Sequence, residues 1–161
     1  MFRARVSRAG DGTFRVRLTA DERALLANLA GQLRELLTAG EDPVLRRLFP
    51  PAYADDPARD AEWRALVGDD LLARRLRAVD LLESTIEEKR LTEEQLTAWM
   101  AAVNDVRLVL GTKLDVDEDM EDVDPADPDA PLLAAYAWLG WVLSDVVDAL
   151  AAGLPRTGRD R

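Results

Sequence analysis

The chain has 161 residues, the size of one ordinary domain, and nearly half of them are hydrophobic, so a packed core is expected. It contains no cysteine and no histidine, which removes thiolate nucleophiles, zinc knuckles, iron–sulfur clusters, disulfides and the side chain that titrates near neutral pH. Its net charge of −10 argues against a general nucleic-acid binder, because neutralising phosphates needs surplus Lys and Arg.

The first segment alternates. Val6 follows Phe2 and Ala4 on one side, with Arg3 and Arg5 on the other; beyond Gly10-Asp11-Gly12, Phe14, Val16 and Leu18 oppose Arg15 and Arg17. Period-two alternation around a Gly-Asp-Gly turn predicts a β-hairpin over residues 1–18 with one apolar and one basic face. Thr19-Ala20-Asp21-Glu22 reads as a capping box. Leu25, Leu26, Leu29, Leu33, Leu36 and Leu37 follow at helical spacing, and Gly40 stops the run. Asp42-Pro43 opens a short second helix that ends before Pro50-Pro51.

Helical spacing resumes near Ala58 through Trp63, Leu66 and Val67. Gly68-Asp69 reads as a stop and a fresh N-cap, before a stripe of Leu72, Leu76, Val79, Leu82 and Ile86. Thr92-Glu93-Glu94-Gln95 is a second capping box, opening a helix with Leu96, Trp99, Met100, Val103, Val106 and Leu110 on one face. Residues 115–130 form an acidic loop. Pro131 starts a last helix, to about residue 152, that is apolar nearly all round until Ser144, so it is expected at the centre of the core or sealed in a homodimer. Residues 153–161 read as a flexible tail. The fold class is thus mainly α: a single-domain bundle of five to six helices (residues 19–114 and 131–152) with an N-terminal hairpin.

Chemical motifs are few. Asp115, Asp117 and Asp119 have the spacing of a calcium loop, but Met120 stands where Gly is needed and Ala126 where a bidentate Glu should close the site. Asp145 with Asp148, Glu83 with Glu87 and Glu88, and Glu118 with Glu121 define a rival class, an all-α magnesium-dependent hydrolase similar to nucleotide pyrophosphohydrolases. Neither Gly10-Asp11-Gly12 nor Gly111-Thr112-Lys113 has the spacing of a phosphate loop, and neither lysine stands at Ser-x-x-Lys spacing. No catalytic residue, metal or cofactor is expected. Asn104 and Arg107 lie at i, i+3 beside an apolar stripe, which predicts a part-buried arginine paired with a carboxylate, Asp145 or Asp148 first. Trp138 and Trp141 are expected in the core or at a partner contact. Arg3, Arg5, Arg15 and Arg17 define a small basic patch.

Leu48-Phe49-Pro50-Pro51-Ala52-Tyr53, Gly68-Asp69-Asp70-Leu71-Leu72, Asn104-Asp105-Val106-Arg107-Leu108-Val109-Leu110-Gly111-Thr112 and Tyr136-Ala137-Trp138-Leu139-Gly140-Trp141 occur in this order. Together they resemble an actinobacterial family of oxidative-stress transcriptional regulators, the AosR-like proteins, over nearly the whole chain. The resemblance implies a cytoplasmic regulator that acts through a partner in the transcription machinery, a sigma factor among the candidates. With no catalytic motif and a net charge of −10, the expectation is a non-enzymatic protein that works by protein–protein contact rather than by binding DNA or a membrane. It also implies thiol sensing, and there this chain departs, having no cysteine. The N-terminus shows no signal-peptide pattern, and Leu132 to Leu143 is short for a bilayer span.

Overall fold

The computed structural model of the protein describes residues 3–40, 42–116 and 124–154. The hairpin is present: β1 (Val6–Arg8) pairs antiparallel with β2 (Phe14–Val16), Val6 opposite Val16 and Arg8 opposite Phe14. Val6, Phe14 and Val16 are buried while Arg15 faces solvent, as the alternation requires. A third strand, β3 (Arg90–Leu91), lies antiparallel on the other edge of β2. Two residues display no periodicity, so the sequence pattern does not reveal it.

Helix α1 (Ala20–Ala39) begins at the predicted capping box. The Thr19 hydroxyl accepts the Glu22 N–H at 3.1 Å, and the Glu22 carboxylate accepts the Thr19 N–H at 2.9 Å. It ends on Gly40, whose φ of 78° is the left-handed conformation that glycine adopts without a Cβ penalty. The short second helix is a 3-10 turn, Pro43–Arg47, with the Asp42 carboxylate accepting the Val44 N–H at 3.0 Å.

Helix α2 (Pro57–Ser84) runs unbroken for 28 residues through Gly68-Asp69. The expected stop there is corrected, and with it the number of helices. Four α-helices and one 3-10 helix are present among the described residues, not five to six. An interior glycine costs a helix only about 1 kcal/mol and removes no hydrogen bond, so without a proline the flanking turns carry the helix through.

Helix α3 (Glu93–Lys113) starts at the second capping box, Thr92 with Gln95. It packs against α1, α2, β3, the 3-10 turn and α4 (Ala130–Ala151), so α3 occupies the middle of the bundle. Trp99 is wholly buried, and its Nε1–H donates to Thr85 Oγ1 at 2.8 Å. Helix α4 packs on α3 and β1, burying Leu133, Trp138, Leu139, Val142 and Val146. Its other face, with Trp141 and Val147, is open. By length and composition α4 is apolar enough to cross a membrane, a property that the core helix of a soluble protein shares.

Candidate protein-contact site

The α3–α4 joint brings together two of the segments that carry the family resemblance. Arg107 of α3 lies with its guanidinium carbon 4.5 Å from the centroid of the Tyr136 ring on α4. It rests against Gly140 one turn later, where a Cβ would stand 3.3 Å from Arg107 Nε. On the next turn of α3, a Cβ on Gly111 would come within 2.9 Å of Tyr136 Cε2. The two glycines therefore permit close approach of the helices, and Tyr136 and Arg107 fill the space.

The expected pairing of Arg107 with Asp145 or Asp148 is corrected. Arg107 makes no ion pair or side-chain hydrogen bond among the described residues, and its Nε is buried without a partner. At about 100° per residue, Asp145 lies roughly 180° around α4 from Tyr136. There it accepts the backbone N–H of Arg5 at 2.8 Å and so pins the hairpin to α4. Asp148 lines the same shallow recess as Arg107, with Gly140, Leu143, Ser144 and Val147. Asn104 is half-buried one turn before Arg107.

The two tryptophans of α4 part ways. Trp138 is buried, and its Nε1–H donates to Glu22 Oε1 at 3.2 Å. Trp141 is 63% exposed, on a face of α4 that it shares with the exposed Ala134, Ala137, Ser144 and Asp148. A large aromatic this open is a candidate contact residue.

The basic patch is reduced by one member. Arg5 Nε donates to Glu22 Oε1 at 3.0 Å, which neutralises it. Arg3 and Arg15 are exposed, and Arg17 donates to Ser7 Oγ at 2.7 Å. Desolvation first, and then the nearby cations Arg3 and Arg15, push the Arg17 pKa down from its ordinary value. These three therefore form one crowded positive patch.

The candidate acids of the rival hydrolase are dispersed. Glu83 joins Asp80 in holding Arg34, Asp145 serves Arg5, and Glu87 and Glu88 are exposed. Among the described residues, no three acidic side chains gather into a group that could hold a metal. Asp117, Glu118, Asp119, Met120 and Glu121 lie outside the described residues.

Two buried charged groups escaped the sequence reading. Asp105 of α3 is 3% exposed and accepts from Arg75 Nη1 of α2, whose Nη2 donates to the Leu48 carbonyl at 2.8 Å. Desolvation raises the Asp105 pKa above its ordinary value, with Arg75 acting in the opposite sense. Arg23 of α1, 8% exposed, is held by backbone carbonyls alone, those of Val16, Leu18, Ile86 and Glu88.

The sequence profile of a family described as a domain of unknown function, DUF2017, matches residues 2–150. A Mycobacterium leprae protein carrying the name oxidative stress regulator AosR is 33% identical over a 189-position alignment, which covers 92% of this chain and 87% of that one. The oxidative stress regulators AosR of Mycobacterium tuberculosis H37Rv and of Mycobacterium bovis are each 30% identical over 167 positions, covering 78% of this chain and 77% of theirs. No solved structure matches. The chain belongs to the DUF2017 family, with relatives named as oxidative stress regulators.

Proposed function

We propose that this protein is a cytoplasmic, non-enzymatic regulator in oxidative-stress control of transcription, and that it acts by binding a protein of the transcription machinery, a sigma factor first among the candidates. The names of the relatives support the regulatory role. The observation that carries protein contact is Trp141, 63% exposed on the outer face of α4. Exposed aromatic and arginine side chains of this kind dominate protein–protein binding energy. Without cysteine, the signal does not reach this chain through a disulfide of its own.

The test is capture of purified RNA polymerase and separate sigma factors by the intact protein, with a Trp141→Asp variant alongside. The expected result is saturable binding to one component, weakened at least tenfold by Trp141→Asp at unchanged melting temperature. Binding that ignores Trp141→Asp would remove α4 from the interface. Absence of binding to any component would overturn the transcriptional reading.

A further inference from the structure

The 3-10 turn and the Leu48-Phe49-Pro50 segment face the first half of α2 across a cleft of about 440 Å³. The lining is largely apolar, with Phe49, Trp63, Leu71 and Leu72 among its side chains, and the volume falls within the range of small-molecule sites. No residue of α2 before Ala78 is fully buried; Leu72 and Leu76 pack on the edge of the core, and Trp63, Gly68, Leu71 and Leu72 form a wall of the cleft.

Two further observations set the chemistry. Arg75 lines the cleft, and its Nε is buried without a hydrogen-bond partner, although both Nη atoms are occupied, by Asp105 and the Leu48 carbonyl. A buried unmatched donor costs about 1–3 kcal/mol, which an acceptor atom delivered by a ligand would relieve. The charges, by contrast, are already matched: Asp105 neutralises Arg75, and Asp60 neutralises Arg64, the other arginine of the lining. A strong anion has no surplus cation to meet here.

The third observation is Gly68. It stands inside α2, where glycine costs about 1 kcal/mol relative to alanine. Nothing lies within 4 Å of where its Cβ would be, so no close packing demands the glycine. It does line the cleft, and the missing side chain keeps that wall open. We infer that this cleft is a binding site for an uncharged apolar molecule bearing a carbonyl-type acceptor, with Arg75 as its donor and Gly68 as the gap that admits it.

The test uses 2-nonanone as the probe and nonanoate as the charged control, titrated into the intact protein while the Trp63 indole N–H resonance is followed by NMR. The expected result is a saturable shift with the ketone and at least tenfold weaker binding of the carboxylate. Gly68→Leu should abolish the shift while its melting temperature stays level or rises, and Leu71→Trp, filling the same wall from another position, should do likewise. Absence of a saturable shift with the ketone, equal or tighter binding of nonanoate, or undiminished binding by both filled variants would each overturn the assignment.

Discussion

Glu22 and Trp138, 116 residues apart in the chain, are joined by a 3.2 Å hydrogen bond from the indole Nε1–H to the carboxylate. The same carboxylate caps α1 through the Thr19 N–H and neutralises Arg5 of the hairpin. One side chain therefore ties the hairpin, the first helix and the last helix together. Desolvation works to raise its pKa, but the hydrogen bonds from Thr19, Arg5 and Trp138 outweigh that effect, and the net shift is downward.

This sets the sign of a pH effect. A carboxylate whose folded-state pKa is depressed adds stability that is present above the unfolded value, about 4.3 for glutamate, and is lost as pH falls through the folded value. Glu22→Gln should cost about 1–2 kcal/mol at neutral pH. The difference from the parent should shrink below about pH 4.3, as followed by urea unfolding at several pH values. A gap that widens on acidification would contradict the network.

Asp105 behaves in the opposite sense. Its raised pKa means that the folded state holds the proton more tightly than the unfolded chain, so its ionisation draws stability down as pH rises through the folded value. Removing the acid outright is another matter, because Arg75 is then left without its counter-charge. Asp105→Ala should cost about 3–5 kcal/mol, and replacing both residues with apolar ones should recover much of that. A double-mutant cycle with no coupling between Arg75 and Asp105 would refute this account.

Two glycines in helices should respond with opposite signs. Gly111→Ala drives a Cβ to within 2.9 Å of the Tyr136 ring, so the ring must move off Arg107 or helices α3 and α4 must part, at about 1–3 kcal/mol before the gain in helix propensity is subtracted. Gly68→Ala meets open space and should stabilise by about 0.5–1 kcal/mol. Thermal melts of the two variants check the contrast, and destabilisation by Gly68→Ala would sink it.

The two faces of α4 give a similar contrast. Leu139 is fully buried and Trp141 largely exposed, two positions apart. Leu139→Asp buries an unpaired charge at a cost comparable with total stability, and the variant should unfold. Trp141→Asp should keep its melting temperature within a degree or two and stay monodisperse in sedimentation. If the parent sediments as a homodimer and Trp141→Asp as a monomer, the outer face of α4 is a self-contact rather than a partner site.

Much of this architecture was legible because its signals are local. Both capping boxes, the glycine stop at Gly40 and the hairpin alternation depend on residues within a few positions of one another. What escaped depends on partners distant in sequence. Arg23 sits on the apolar stripe of α1 with Leu26, Ala30, Leu33 and Leu37, a position that signals burial, but two of its four carbonyl partners, Ile86 and Glu88, come from the turn before β3. Asp105 lies beside the apolar stripe of α3, and since α3 packs against four other elements as well as α4, its buried surface is wider than that single stripe. For Arg107 the spacing points to α4 but not to the group it meets there, the Tyr136 ring rather than Asp145 or Asp148. Helical spacing locates a residue on a face and says nothing of whether a ring or a carboxylate meets it there.

The last prediction separates a protein contact from a nucleic-acid contact. With Arg5 engaged by Glu22, the basic patch on the hairpin comprises Arg3, Arg15 and Arg17 on a chain of net charge −10. Three phosphate contacts at most give a salt slope of about −2.7, so any weak duplex affinity at 50 mM salt should fall about 40-fold by 200 mM. No mobility shift of duplex DNA is therefore expected near physiological salt. Whatever residual binding survives in low salt should vanish when Arg3, Arg15 and Arg17 are all replaced by Gln. Capture of a transcription protein through Trp141, an aromatic contact rather than a cationic one, should by contrast persist at 200 mM salt and survive that triple replacement. Sub-micromolar, sequence-specific DNA binding by the isolated protein would reverse the assignment, because three crowded arginines supply neither the affinity nor the base-edge contacts that such binding demands.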